Sequence, residues 1–224
     1  MATRVGDWGA GAVWRVTSGV FPSNAYFCEA DVPGGGILVD PGLDSQAIDA
    51  ELSALGLRPH QVFCTHGHFD HTGGAAWFRE RYDCEVFLHR ADSRTMRSSN
   101  FLLMALQIPH RVQAADVTWV DDDFCTDIAG RRLRFLPAPG HTPGSCVLEL
   151  GSAWFTGDTL YSRGVGLNSL PGEDRDALRT TIRGLWPRLT AERMVYPGHG
   201  DPADGETVRT GNHALTAFLG TVDA

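Results

Sequence analysis

Four short pieces of this chain, far apart in sequence, each set histidine or aspartate among small, turn-forming residues. They are Thr65-His66-Gly67-His68-Phe69-Asp70-His71, Gly140-His141-Thr142, Gly157-Asp158-Thr159 and Pro197-Gly198-His199-Gly200. Such residues let a backbone bend tightly enough to aim imidazoles and carboxylates at one point. Five histidines and two aspartates suffice to hold two metal ions, so a fold that uses them all must deliver four distant loops to one place.

At 224 residues the chain is the size of one mixed α/β domain, and we expect a single domain over 1–224. No apolar run approaches the roughly 20 residues that span a bilayer. The start, Met1 to Gly11, lacks the basic and apolar stretches of a secretory signal, so a soluble, cytoplasmic protein is expected. Cys28, Cys64, Cys84, Cys125 and Cys146 show no zinc-ribbon or redox spacing and read as reduced, mostly buried thiols. A formal charge of −8 argues against nucleic acid as a partner, because phosphate binding needs clustered basic side chains. All 19 basic residues are arginine, which excludes a Schiff-base or phosphate-loop lysine.

Short β-prone runs at 13–16, 25–28 and 37–39 form a meander. A helix follows from Ser45 to Leu55, with Ile48, Leu52 and Leu55 on one side and Gly56 as its stop. Gln61 to Cys64 is a buried strand that leads into the first motif, and 73–82 and 85–88 read as the next helix and strand. Residues 91–115 read as a helical insertion around the apolar run Phe101 to Leu106. The second half carries strands at 116–120, 124–128, 132–136, 145–150, 153–156 and 194–196. One helix is expected over 174–185 and another over 205–219. Strands in both halves with helices outside suggest two sheets packed face to face. Periodicity alone supports an α/β or α+β class.

The order His-x-His-x-Asp-His, then His, Asp and His, resembles the metallo-β-lactamase superfamily, and within it the hydroxyacylglutathione hydrolase (glyoxalase II)-like branch. The likeness runs from Asp40-Pro41-Gly42 to the Gly-His near the C-terminus. It implies a four-layer αββα sandwich and a metal-dependent hydrolase with two Zn²⁺ ions, iron or manganese being the alternatives. By this resemblance His66, His68 and His141 hold the first metal, Asp70, His71 and His199 hold the second, and Asp158 bridges them. The implied catalytic groups are Asp158, Asp70, which orients the nucleophile, and Tyr161, a phenol placed to hydrogen-bond the substrate carbonyl. A hydroxide shared by two metals about 3.5–4 Å apart is the implied nucleophile toward a thioester, lactone or related ester of a small molecule.

Family members that cleave β-lactams generally carry Cys or Ser in place of the bridging aspartate, so that activity is not expected here. Glutathione-using relatives bind their substrate through basic residues, several of them in a C-terminal extension. This chain has no lysine and 25 residues from Gly200 onward, and Asn168 stands where a charged residue is common. The alternative function is a persulfide dioxygenase with one iron on His66, His141 and Asp158, which metal identity would separate from the hydrolase. The Phe101–Leu106 run reads as core, as a dimer face or as a cover over an apolar substrate. The packing of Tyr161 under a loop is the plain alternative to its catalytic role. Trp8 and Phe21 are candidates for the border of the cleft. His60, His89, His110 and His213 read as ordinary surface histidines. The partners expected are a small-molecule substrate and no membrane, in a monomer or homodimer.

Overall fold

The computed structural model describes residues 1–17, 19, 21–30 and 32–220. A seven-stranded sheet holds, in spatial order, β1 (Thr3–Asp7), β2 (Ala12–Thr17), β3 (Asn24–Glu29), β4 (Gly35–Val39), β5 (Arg58–Phe63), β6 (Glu85–His89) and β7 (Thr118–Val120). The second, of six strands, holds β8 (Cys125–Ile128), β9 (Arg131–Pro137), β10 (Cys146–Leu150), β11 (Ala153–Gly157), β12 (Met194–Pro197) and β13 (Ala203–Asp204). In space β8 and β13 are its two edges.

Alternation along the strands sorts their side chains between three cores, because neighbouring residues of a strand point to opposite faces. Phe63, Phe155, Tyr196 and Tyr26 meet between the sheets, together with Trp8 and Phe135. Their neighbours Val62, Cys64, Ala25 and Phe27 face outward to α1 (Ser45–Ala54) and α3 (Ala75–Tyr82), with Ile48, Leu52 and Phe78. On the other side Trp154 and Val195 face α6 (Arg175–Leu185) and the last helix, with Leu178, Ile182 and Phe218. The result is the expected αββα sandwich. Among the described residues, no helix is long and apolar enough to cross a membrane.

Strand direction places the four motifs together. β4, β5 and β6 run parallel, so Asp40 and the His66 loop emerge at one edge of the first sheet. β9 and β11 are both antiparallel to β10, and β11 is parallel to β12, so these three strands also end together. His141, Asp158 and His199 follow those three ends. The sheets are stitched at this edge by Cys146 N–H to Thr65 O (2.8 Å), Asn24 N–H to Gly198 O (2.8 Å) and the Tyr26 hydroxyl to Pro197 O (2.8 Å).

Several expectations need correction. Residues 118–120 pair with β6 in the first sheet rather than joining the second. The terminal helix is two helices, α7 (Gly205–Gly211) and α8 (His213–Leu219), broken at Asn212. The Asn212 side chain accepts from Leu215 N–H and Gly164 N–H and donates to Tyr161 O and Gly164 O, which ties the break to the loop after Asp158. In the segment 91–115, regular helix is confined to α4 (Ser93–Arg97) and α5 (Ser99–Ala105), after a 3₁₀ turn at Arg90–Asp92. Trp8 is fully buried between the sheets and donates its indole N–H to Glu29 O, so it does not border the cleft.

Candidate metal centre

The first motif leaves β5 at Thr65 and enters a one-turn helix, α2 (Phe69–Thr72). His66 and His68 lie on the extended part, while Asp70 and His71 sit on the helical turn and face a neighbouring position. Donor atoms converge in three overlapping groups, each within 4.8 Å: His66, His68 and His141; His66, His71 and Asp158; and Asp70, His71 and His199. His68 Nδ1 lies 2.9 Å from His141 Nε2. The Asp158 carboxylate stands between the groups, 3.4 Å from His141 Nε2, 3.3 Å from His71 Nε2 and 3.4 Å from His199 Nε2. Asp70 lies 3.4 Å from His71 Nε2 and 3.3 Å from His199 Nε2. All seven residues named from the sequence therefore meet at one place.

The far nitrogens of the rings are already committed. His71 Nδ1 pairs with Asp40 (3.0 Å), His141 Nδ1 with Gly166 O (2.9 Å), and His199 Nδ1 with Pro22 O (2.6 Å). Each such bond fixes the ring and turns its Nε2 toward the other converging groups. Among the described residues, the buried side-chain atoms without a hydrogen-bond partner include three at this site, His66 Nε2, His71 Nε2 and Asp158 Oδ1. Buried nitrogen and carboxylate oxygen left unpaired cost on the order of 1–3 kcal/mol each, so a cation in their midst answers a deficit the protein cannot satisfy alone. The donor set, imidazole with carboxylate, suits zinc, iron or manganese.

Charge is balanced tightly here. Burial alone would lower the His71 imidazole, but Asp70, Asp158 and Asp40 together outweigh it and hold it well above its ordinary range. Burial also opposes protonation of His199, yet hydrogen bonds to Asp158 and Asp70 push it up to about 10. His66 is held well below its ordinary value by burial and then by the charge of His71. His68 is lowered to about 4 by burial and then by His141. The two sets thus differ: the His66–His68 side disfavours protons, and the carboxylate-rich side attracts positive charge.

Two residues that the motifs left without a role support the donors. Asp40, with a left-handed φ of 51°, accepts from Thr65 N–H and Oγ1–H (both 2.8 Å) as well as pairing with His71. Its unusual backbone turns the carboxylate from the end of β4 toward the next strand's loop. Asp92, fully buried, accepts from Gly67 N–H (2.6 Å), Gly144 N–H (2.7 Å) and the Thr142 hydroxyl (2.7 Å). Gly198 explains the Pro-Gly-His piece, since a Cβ there would lie 2.3 Å from Asp158 Oδ1 and 2.5 Å from His71 Cε1.

A cavity of about 480 Å³ opens over the donors and is lined by His68, Asp70, Asp158 and His199 together with Phe21, Pro22, Phe69, Leu106, Tyr161, Asn168 and Leu170. Tyr161 reaches this space with its ring edge-on to His199, the centroids 5.9 Å apart. Burial, and then the charge of Asp158, raise its phenol well above the ordinary value. Phe21 also lines the cavity. Within α5, Leu103 is buried while Phe101 and Met104 are exposed. His89 pairs with Asp122 at 2.9 Å, away from the donors. Cys64 is buried on the outer face of the first sheet, and Cys125 is exposed.

The family model described as the metallo-beta-lactamase superfamily matches residues 18–199. Among curated relatives, the probable metallo-hydrolase YqgX of Bacillus subtilis is 29% identical over 91% of this chain and 97% of its own length. A hydroxyacylglutathione hydrolase of Anaeromyxobacter dehalogenans is 36% identical over 74% of this chain but only 57% of its own. Among solved structures, TTHA1623 in a di-iron-bound form has 30% identity and a TM-score of 0.78, covering 89% of this chain and 98% of that one. The B3 metallo-beta-lactamase BLEG-1 has 25% identity and a TM-score of 0.81, covering 91% and 99%. With its fold, its cluster of histidines and aspartates and a family match over most of its length, this chain belongs to the metallo-beta-lactamase superfamily.

Proposed function

We propose that this protein is a dinuclear metal-dependent hydrolase acting on a thioester, lactone or related carboxylic ester of a small molecule. The observation that carries this reading is the second donor group. His66, His141 and Asp158 would serve a one-metal site, and Asp70, His71 and His199 converge beside them as a second group able to hold an ion. The relatives add support through the name metallo-hydrolase and through two irons bound in TTHA1623. Two zinc ions are the proposed occupants, His66, His68 and His141 holding one, Asp70, His71 and His199 the other, and Asp158 both.

Such a pair of ions, when bound, supplies an acidified water near neutral pH and polarises a carbonyl oxygen. The chain's own residues do the rest. Asp70 orients the nucleophilic water through its carboxylate. Tyr161, kept protonated by its raised pKa, donates its hydroxyl hydrogen to the oxyanion that develops on the acyl carbonyl. Phe21, stacked edge-on to Phe69 with centroids 5.3 Å apart, shields one side of the site from bulk water.

Replacing the shared carboxylate tests the reading. Asp158→Ala should lose one or both ions and at least about 10³-fold in kcat toward any ester the parent cleaves, with the far-ultraviolet circular dichroism unchanged. Parent-like turnover in Asp158→Ala would rule out the shared-carboxylate site.

A further inference from the structure

The cavity over the donors has walls of a different character from its floor. Apart from Tyr161 and Asn168, the groups around it that are not donors are Phe21, Pro22, Phe69, Leu106 and Leu170. Leu106 comes from the end of α5, whose Leu103 is buried against Leu43 and Phe69. Leu170 comes from the loop between β11 and α6. Among the described residues that line the cavity, none is arginine, and the sequence contains no lysine.

We propose that the acyl half of the substrate is uncharged and apolar, an alkyl or aryl group of medium length seated against Phe21, Phe69, Leu106 and Leu170. This rests on the hydrolase reading above. An apolar group gains by leaving water along these walls. A carboxylate carried into the same space would meet no cation there, because the positive charge at the floor serves the reacting carbonyl. In the reaction water adds to the acyl carbon and the C–S or C–O bond breaks. The products are a carboxylic acid and a thiol or alcohol, and no other co-reactant is needed. The same walls give a small hydroxylated acyl group, such as that of lactoylglutathione, little apolar surface to bury.

The test uses the full chain loaded with zinc and S-acyl N-acetylcysteamine thioesters that share one leaving group: acetyl, butyryl, hexanoyl, benzoyl and succinyl, with lactoylglutathione alongside. The expected kcat/KM rises about fourfold per buried methylene from acetyl to hexanoyl. Succinyl should fall at least about tenfold below butyryl. Calorimetry gives a second readout: hexanoate should bind at least about tenfold tighter than acetate or succinate. Leu106→Arg, at a position already 43% exposed, should raise the succinyl-to-hexanoyl ratio at least about tenfold with metal content unchanged. Turnover that is flat with acyl length, or that favours lactoylglutathione or succinyl, would overturn the inference and leave the hydrolase standing. No turnover of any ester by the fully loaded protein would overturn the hydrolase reading itself.

Discussion

Asp92 touches none of the seven donors, yet its carboxylate holds the amides of Gly67 and Gly144 and the hydroxyl of Thr142 at 2.6–2.7 Å. One buried side chain thereby fixes the loops that carry His66, His68 and His141. Asp92→Ala should strand three buried donors, cost about 3–5 kcal/mol in stability and weaken metal binding roughly 10–100-fold. Thermal unfolding and competition with a chelator measure the two effects, and an Asp92→Ala protein with parental values in both would remove Asp92 from the support of the site. Tyr161→Phe separates chemistry from architecture. It should lower kcat about 10–1,000-fold with metal content and melting temperature retained, and an unchanged kcat would return Tyr161 to a packing role. The convergence of the seven histidines and aspartates was legible because each sits in a short motif of turn residues with a distinctive order. Asp92 was not, since its partners Gly67 and Gly144 lie 25 and 52 residues away and nothing local in Arg90-Ala91-Asp92 announces them.

At the scale of elements, the loop carrying His141 is held by its contact with α6. Asp174 caps α6 through Asp176 N–H and Ala177 N–H, and its own N–H donates to Gly140 O at 2.7 Å. Gly140 has a φ of +138°, and a Cβ there would lie 2.3 Å from the backbone of Leu178. Gly140→Ala should therefore push the His141 loop off the helix, destabilise the fold by about 2 kcal/mol or more, and reduce bound metal. Unfolding in urea together with metal analysis checks this, and a fully loaded, stable Gly140→Ala protein would contradict it. The helix over 174–185 and most strands were readable from periodicity. The break at Asn212 was not, although Gly211-Asn212 is itself a stop-and-cap pair, because the apolar spacing of Val208, Leu215 and Leu219 continues across it; the Asn212 side chain caps α8 and also holds Tyr161 and Gly164. Residues 118–120 were legible as a strand of the second half, but not their pairing with β6 of the first sheet. Three alternating residues fix a strand but not its partner.

For the whole molecule, strand direction is what turns four separated motifs into one centre. β4, β5 and β6 end at one edge, β9, β11 and β12 end at the other sheet's matching edge, and hydrogen bonds from Cys146 and Asn24 lock the two edges together. The resemblance carried by the motifs implied the sandwich; composition and periodicity reached only a mixed class. Substrate preference was least legible, because Phe21, Leu106 and Leu170 are 149 residues apart from first to last and meet only in the folded cavity. On the proposed reading, the seven converging residues bind two ions. Elemental analysis of protein purified without chelators or a nickel column, paired with ester turnover on the same preparation, measures it most directly. The prediction is about two transition-metal ions per chain, with hydrolysis lost on chelation and restored on reloading. About one iron per chain, with oxygen consumed on a persulfide and no ester cleaved, would contradict it.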